Sequence, residues 1–192
     1  MMSGEPRFVW LDMEMTGLNP DYDAILEIAV VVTGPDLKPL ASIERVVFQP
    51  DDVLARMSAK VREIHTHNGL VDDVRTKGLD LRVVERDVLR EIAQHCGPGQ
   101  GLLCGRSIHN DWKFLVKYMQ RIEQHLHFLR VDVSTFSVLV DAWYPNARYP
   151  HPQQTHRAME DVKAGIQEMR HYCHSAFRVD LDHLPGPLQP KS

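Results

Sequence analysis

Residues 7–15 read Arg-Phe-Val-Trp-Leu-Asp-Met-Glu-Met, and this run constrains the fold more than any other part of the chain. Side chains alternate across a strand, so Val9, Leu11, Met13 and Met15 make one wholly apolar face that has to be core. The other face carries Phe8 and Trp10, then Asp12 and Glu14, and so passes from buried to charged along its length. That gradient suits a strand whose end opens into a cleft. Taken alone, the acidic pair reads as the solvated face of an edge strand. Two like charges so close repel, and enclosing them requires a counter-charge or a metal ion.

Two further strand-like runs, residues 25–33 and 43–49, are rich in Val, Ile and Phe and are bounded by Gly17, Asn19, Pro20, Gly34, Pro35 and Pro50. A mixed helical region follows over 51–74. A longer helix over 81–96 carries Val84, Val88, Ile92 and Cys96 at turn spacing and is stopped by Gly97-Pro98-Gly99. The pattern then predicts a strand over 101–104, a helix over 107–119, a strand over 129–132 and a helix through Trp143. After a loop over 145–154, a last helix over 157–175 lines up Met159, Val162, Ile166, Met169 and Cys173 on one stripe. Strands first, then strand–helix alternation, predict an α/β fold: a mixed sheet with helices on its faces. Residues 1–177 read as one domain, and Pro185, Gly186, Pro187 and Pro190 mark a loose tail over 178–192.

Composition narrows the function. The 22 Lys and Arg against 26 Asp and Glu give a net charge of −4, which argues against tight non-specific binding of duplex DNA and is compatible with an acidic metal site. Cys96, Cys104 and Cys173 form no CxxC pair, so neither a disulfide scaffold nor a zinc ribbon is expected. A reducing compartment follows, the cytoplasm first, with the mitochondrion left open. No apolar run is long enough to span a bilayer, and the absence of an apolar leader before Phe8 predicts a protein that is not secreted.

Other acids take their meaning from one another. Asp111 falls in the first turn of a helix that Ser107 could cap, and Asp161 lies five residues beyond His156 at the start of the last helix. The helix dipole alone accounts for an acid at either place. Together, however, Asp-x-Glu on the first strand, Asp on a middle helix and His-x4-Asp on the last helix offer four hard oxygen ligands for Mg²⁺ or Mn²⁺, with a histidine able to deprotonate water.

These residues carry a resemblance. Trp10-Leu11-Asp12-Met13-Glu14-Met15-Thr16-Gly17-Leu18 resembles the first motif of the oligoribonuclease family, within the DEDD superfamily of exonucleases. Residues 104–111, Cys-Gly-Arg-Ser-Ile-His-Asn-Asp, are similar to its second motif, and residues 155–161, Thr-His-Arg-Ala-Met-Glu-Asp, to its third, of the histidine subclass. Asp132-Val133-Ser134-Thr135 and the His65-Thr66 stretch also fit. The likeness implies an RNase-H-like mixed five-stranded sheet flanked by helices and a 3′→5′ exoribonuclease acting on short single-stranded RNA. Asp12, Glu14, Asp111 and Asp161 would hold two divalent cations, Mg²⁺ or Mn²⁺, with His156 as general base. Met15, Leu18, His65, Ser107 and Ser134 would contact substrate, Leu18 as a wedge beside the terminal base, and the enzyme would be a homodimer.

Three stretches depart from the family pattern. Lys60 stands where a base-stacking Trp is usual. Phe128-Leu129 replaces a Tyr-Arg pair that helps clamp the 5′ phosphate, with Arg130 one position late, and Phe136–Asp141 replaces a basic stretch. Substrate selection is therefore where this chain is expected to differ. A broader exonuclease that accepts short single-stranded DNA is the first alternative. A catalytically silent nucleic-acid-binding module is the second, opposed by the complete set of acids. Most of the remaining histidines read as solvated or capping, and Trp143 as core or interface.

Overall fold

The computed structural model describes residues 6–150 and 155–177. Its sheet holds β1 (Arg7–Met15), β2 (Ile25–Thr33), β3 (Pro39–Val46), β4 (Gly101–Gly105) and β5 (Arg130–Asp132), in the order β3-β2-β1-β4-β5. β1 and β3 run antiparallel to β2, β4 runs parallel to β1, and β5 parallel to β4. The mixed sheet is thus as expected, but β1 lies at its centre. The edge-strand reading of the acidic pair is overturned, and the acids sit where both neighbours of the strand are filled.

The face predicted to be core is core. Val9, Leu11, Met13 and Met15 pack against Val84, Val88 and Ile92 of α4 (Leu81–Ala93), Phe114 and Leu115 of α5 (His109–Tyr118) and Ile122 of α6 (Gln120–His125). On the other face, Trp10 packs with Val133 and Val140 of α7 (Val133–Trp143) and Val162, Ile166 and Tyr172 of α8 (Ala158–Ser175). Trp10 buries its polar edge by donating from Nε1 to Thr33 Oγ1 at 3.0 Å. A third cluster gathers Leu26 with residues from α1 (Asp51–Leu54), α2 (Ala59–His67) and α3 (Leu70–Lys77). β2 is buried throughout because helices cover both its faces.

Three expectations shift. The third strand occupies Pro39–Val46 and not 43–49; Val47 forms only an isolated bridge to Leu79. Its alternation of exposed and partly buried residues is that of an outer strand, which lacks the apolar run that marked the others. The region over 51–74 is three short helices, ending at Lys77. Ser107 does not cap α5: the helix starts from Ile108 with no side-chain cap. The tail over 178–192 lies outside the described residues, as do residues 151–154 of the expected loop.

Candidate active site

The face of β1 that turns from apolar to acidic points toward the N-terminus of α8. Asp161 stands in the first turn of that helix, with His156 two residues before its start. Ligand atoms of Glu14, His156 and Asp161 lie within 4.8 Å of one another. Asp111, in the first turn of α5, turns back to the same strand: its Oδ1 accepts from the Met13 N–H at 2.8 Å, beside Asp12. Residues far apart in the sequence thus reach one strand end because two helix starts converge there.

Enclosure has an electrostatic consequence. Burial, then the charges of Asp111, Glu14, Asp161 and Glu27, hold the Asp12 carboxyl well above the usual carboxylate range. Burial, with Asp161, Glu27 and Asp111, pushes Glu14 up to about 8 against the opposing pull of Arg157. Burial pushes Asp111 up to about 7, although hydrogen bonds to its carboxylate oppose the rise. Asp161 is raised by burial, with His156 and Arg106 opposing. The nearby guanidinium groups are engaged elsewhere, Arg157 with Glu27 and Arg106 with Glu168. Four crowded carboxylates with so little local positive charge form a donor set suited to divalent cations, which take oxygen ligands.

The expected substrate contacts fall into two groups. Leu18 projects from the loop after β1 with 64% of its surface exposed. That loop is braced by Thr16 Oγ1 and the Asn19 N–H donating to the Asp23 carboxylate, and by the Tyr118 hydroxyl at 2.8 and 2.9 Å from the Pro20 and Asp23 carbonyls. Gly17 lets the Asp23 carboxylate close on the loop, since a Cβ would sit 2.5 Å from its oxygen and displace it. His65 is buried, with Nε2 3.2 Å from the Met15 carbonyl and 3.7 Å from Glu14 Oε2. Burial lowers its pKa, and its Nδ1 has no hydrogen-bond partner among the described residues. Met15 itself turns its side chain into the core, which leaves only its backbone facing the site.

On the opposite flank, Ser107 and Ser134 are joined. The Ser107 N–H donates to Asp132 Oδ1 at 2.9 Å and to Ser134 Oγ at 3.0 Å, and the two hydroxyls are 3.2 Å apart. Asp132 also caps α7 through the Ser134 N–H, so one carboxylate organises both serines. Ser107 adopts φ +49°, a backbone conformation given over to this arrangement in place of the helix cap expected of it. Ser107, Asp12 and Asp161 line one cavity of about 490 Å³ with Arg106, Tyr149 and Lys163.

Exonuclease is the family whose profile matches residues 9–169. The chain is 38% identical to the oligoribonuclease of Dichelobacter nodosus, over 92% of this chain and 98% of that protein. It is 37% identical to the mitochondrial oligoribonuclease of Homo sapiens, over 95% and 79% respectively. The chain belongs to the oligoribonuclease family of exonucleases. Among solved structures, E. coli exonuclease I bound to a dT13 oligonucleotide superimposes with a TM-score of 0.71 at 17% identity, over 91% of this chain and 42% of that one. That likeness shows the fold, and this chain spans about two fifths of the length of that neighbour.

Of the residues that build the site, Glu27 and Asn68 were not singled out from the sequence, and Asp132 and Arg157 stood in its motifs without a role. Glu27, Asn68 and Arg157 surround the approach to α8, and Asp132 holds the serine pair. Glu27 had a visible signal: it is the lone charge in the apolar run Ile25–Thr33. The departures at the sheet edge also have a structural counterpart. Arg130 places its guanidinium carbon 4.1 Å over the Trp112 ring, and Trp112 packs on the core opposite the acidic face. Lys60 is exposed on α2, as are Phe128 and Leu129 before β5. Trp143, 67% exposed, is not core. Among the described residues no helix is long and apolar enough to cross a membrane.

Proposed function

We infer that this chain is a metal-dependent 3′→5′ exoribonuclease that degrades short RNA oligonucleotides, down to dinucleotides, to nucleoside 5′-monophosphates. The observation that carries the reading is the gathering of Glu14, Asp161 and His156 at the end of β1, beside Asp12 and Asp111. The oligoribonucleases it resembles over most of their length support the choice of short RNA.

Asp12, Glu14, Asp111 and Asp161 would hold two Mg²⁺ or Mn²⁺ ions, which when bound lower the pKa of water and stabilise charge on the leaving oxygen. His156 takes the proton of the attacking water, a role that suits a histidine beside carboxylates at neutral pH. The exposed Leu18 wedges against the terminal base, while His65 on one flank and the Ser107–Ser134 pair on the other confine the sugar-phosphate chain. Residues 1–177 act as the exonuclease unit, in the cytoplasm, as a homodimer. Exposed Val138, Trp143 and Tyr144 of α7 and its C-terminal end are the surface on which to seek the second copy, and a monomer in sedimentation at micromolar concentration would contradict the dimer.

A second reading, a broader exonuclease that also takes short single-stranded DNA, is favoured by exposed Leu129 and Lys60 where the family has an Arg and a Trp. Turnover of two-nucleotide RNA, seven-nucleotide RNA and matched DNA, with Mn²⁺ and with chelator, tests both readings. Mononucleotide release from RNA alone supports the first; equal rates on DNA support the second. No metal-dependent release from any of them leaves only the silent binding module.

A further inference from the structure

His156 holds φ at +52°, a left-handed conformation that is uncommon for a residue with a side chain. The surroundings here are specific, and they come from three other elements. On the N-terminal side, Asn68 at the end of α2 donates from Nδ2 to the carbonyls of Thr155, at 3.2 Å, and of His156 itself. On the C-terminal side, the fully buried Glu27 of β2 accepts from Arg157 Nη2 at 2.7 Å and from the Ala158 N–H at 2.8 Å. Arg157 reaches on to Asp73 Oδ2 of α3 at 3.2 Å. His156 is therefore gripped at the peptide groups before and after it, with its side chain left to meet Glu14 and Asp161.

Glu27 also stands directly across the sheet from Glu14, in a pairing that puts both on the same face. An acid there aggravates the crowding that pushes Glu14 up, and a fold selected only for stability would favour an apolar residue in this strand. Its hydrogen bonds to residues 157 and 158 give it a different use. We propose that Asn68, Glu27 and Arg157 form a backbone latch that positions His156 for proton transfer, so that they control turnover without contacting substrate or metal. This rests on the reading of His156 as general base.

Asn68→Asp is the sharpest probe. It keeps the oxygen that accepts from the Leu70 N–H at the start of α3, and replaces the Nδ2 donor to residues 155 and 156 with a charged oxygen that repels both carbonyls. On a dinucleotide RNA with Mn²⁺, kcat should fall roughly 10- to 100-fold, as expected when a base is displaced but not removed. KM and the Mn²⁺ affinity measured by titration calorimetry should stay within twofold. Arg157→Lys, which retains the charge opposite Glu27, should fall less than Arg157→Met. In a His156→Ala background, Asn68→Asp should cost less than a further twofold. An Asn68→Asp enzyme at full kcat, a matching loss of Mn²⁺ affinity, or an additive loss in the double variant overturns the latch and leaves the base assignment standing. Full turnover by His156→Ala alone overturns both.

Discussion

At the C-terminal end of β1, acids from three elements meet on the central strand, hemmed in by β2, β4 and α8. At the outer edge, β5 is three residues long and the positions just before it are exposed. The resemblance to the family's motifs covers the first place and departs from them at the second. The contrast follows from packing. A change at the centre disturbs both core clusters and the charges they enclose, whereas at an edge a shift of one residue moves a side chain from one face to the other at little cost. Arg130 illustrates this: one step late in the sequence, it has joined Trp112 on the face away from the acids. Under the proposed function, the chemistry is anchored in the core and the selectivity is written on the rim.

The most severe way to break the centre is to remove an acid. Asp12→Ala, Glu14→Ala, Asp111→Ala and Asp161→Ala should each reduce mononucleotide release to background while circular dichroism remains that of the parent. Removing Asp12, Glu14 or Asp161 also relieves repulsion in the metal-free protein, so melting temperature should not fall; Asp111→Ala offsets that relief by stranding the buried Met13 N–H. A variant that keeps a tenth of parental turnover would take its acid out of the set. Next, His156→Ala should lower kcat by roughly 10²–10⁴, the span of a positioned general base, with Mn²⁺ affinity little changed. His156 sits among Glu14 and Asp161 closely enough to be a ligand itself, and a parallel loss of metal affinity would reassign it so.

The third prediction concerns the charge stored at the centre. Glu14 rises from 4.5 to about 8 and Asp111 from 3.8 to about 7 on folding. Between those limits the folded, metal-free protein holds more protons than the unfolded chain, so this contribution to stability is full below about pH 4 and is lost as pH rises toward 8. Melting temperature without metal should therefore decline across that window. Glu14→Gln, which removes the titration, should match the parent near pH 4.5 and exceed it at pH 8. Mg²⁺ or Mn²⁺ should raise the parent more than the variant at pH 8. If metal-free parent and variant follow parallel pH curves, Glu14 is not enclosed as described.

How much of this was legible in the sequence depended on whether the signal was local. The alternation in β1 and the stripe on α8 announce buried faces, because burial imposes periodicity on neighbouring residues. Whether β1 was central or peripheral depended on what pairs with it, which no run of nine residues contains. Ser107 looked like a cap because it precedes a helix; its real partner, Asp132, is 25 residues away on a neighbouring strand. Glu27 was visible as a charge in an apolar strand, but its meaning lay in Arg157, 130 residues on. The acids of the site were recoverable only as a set, through motif order, since each alone suits an ordinary helix start or strand end.

The smallest expected effect sharpens the other half of the comparison, the rim. A clamp on the 5′ phosphate favours two-nucleotide RNA because the next nucleotide of a longer substrate must occupy the clamp's own space. Leu129 is exposed and Arg130 is held over Trp112; if the motif resemblance holds at these positions, no guanidinium stands at the clamp. Exposed Lys60 supplies a point charge without the stacking surface of a Trp, and its rotatable ammonium lacks the planar fork of an Arg. The native enzyme should therefore distinguish two-nucleotide from seven-nucleotide RNA less sharply than its relatives. Lys60→Trp, Phe128→Tyr and Leu129→Arg together should raise that ratio in kcat/KM by roughly tenfold, about 1.4 kcal/mol, a modest value for a charge-assisted contact at an exposed edge. Arg130→Ala alone should leave the ratio unchanged, because its side chain faces the wrong side of the sheet. A sharp native preference for two nucleotides, or an unchanged ratio in the triple variant, would overturn the clamp argument; a loss of preference in Arg130→Ala would mean that Arg130 swings round to the acidic face when substrate binds.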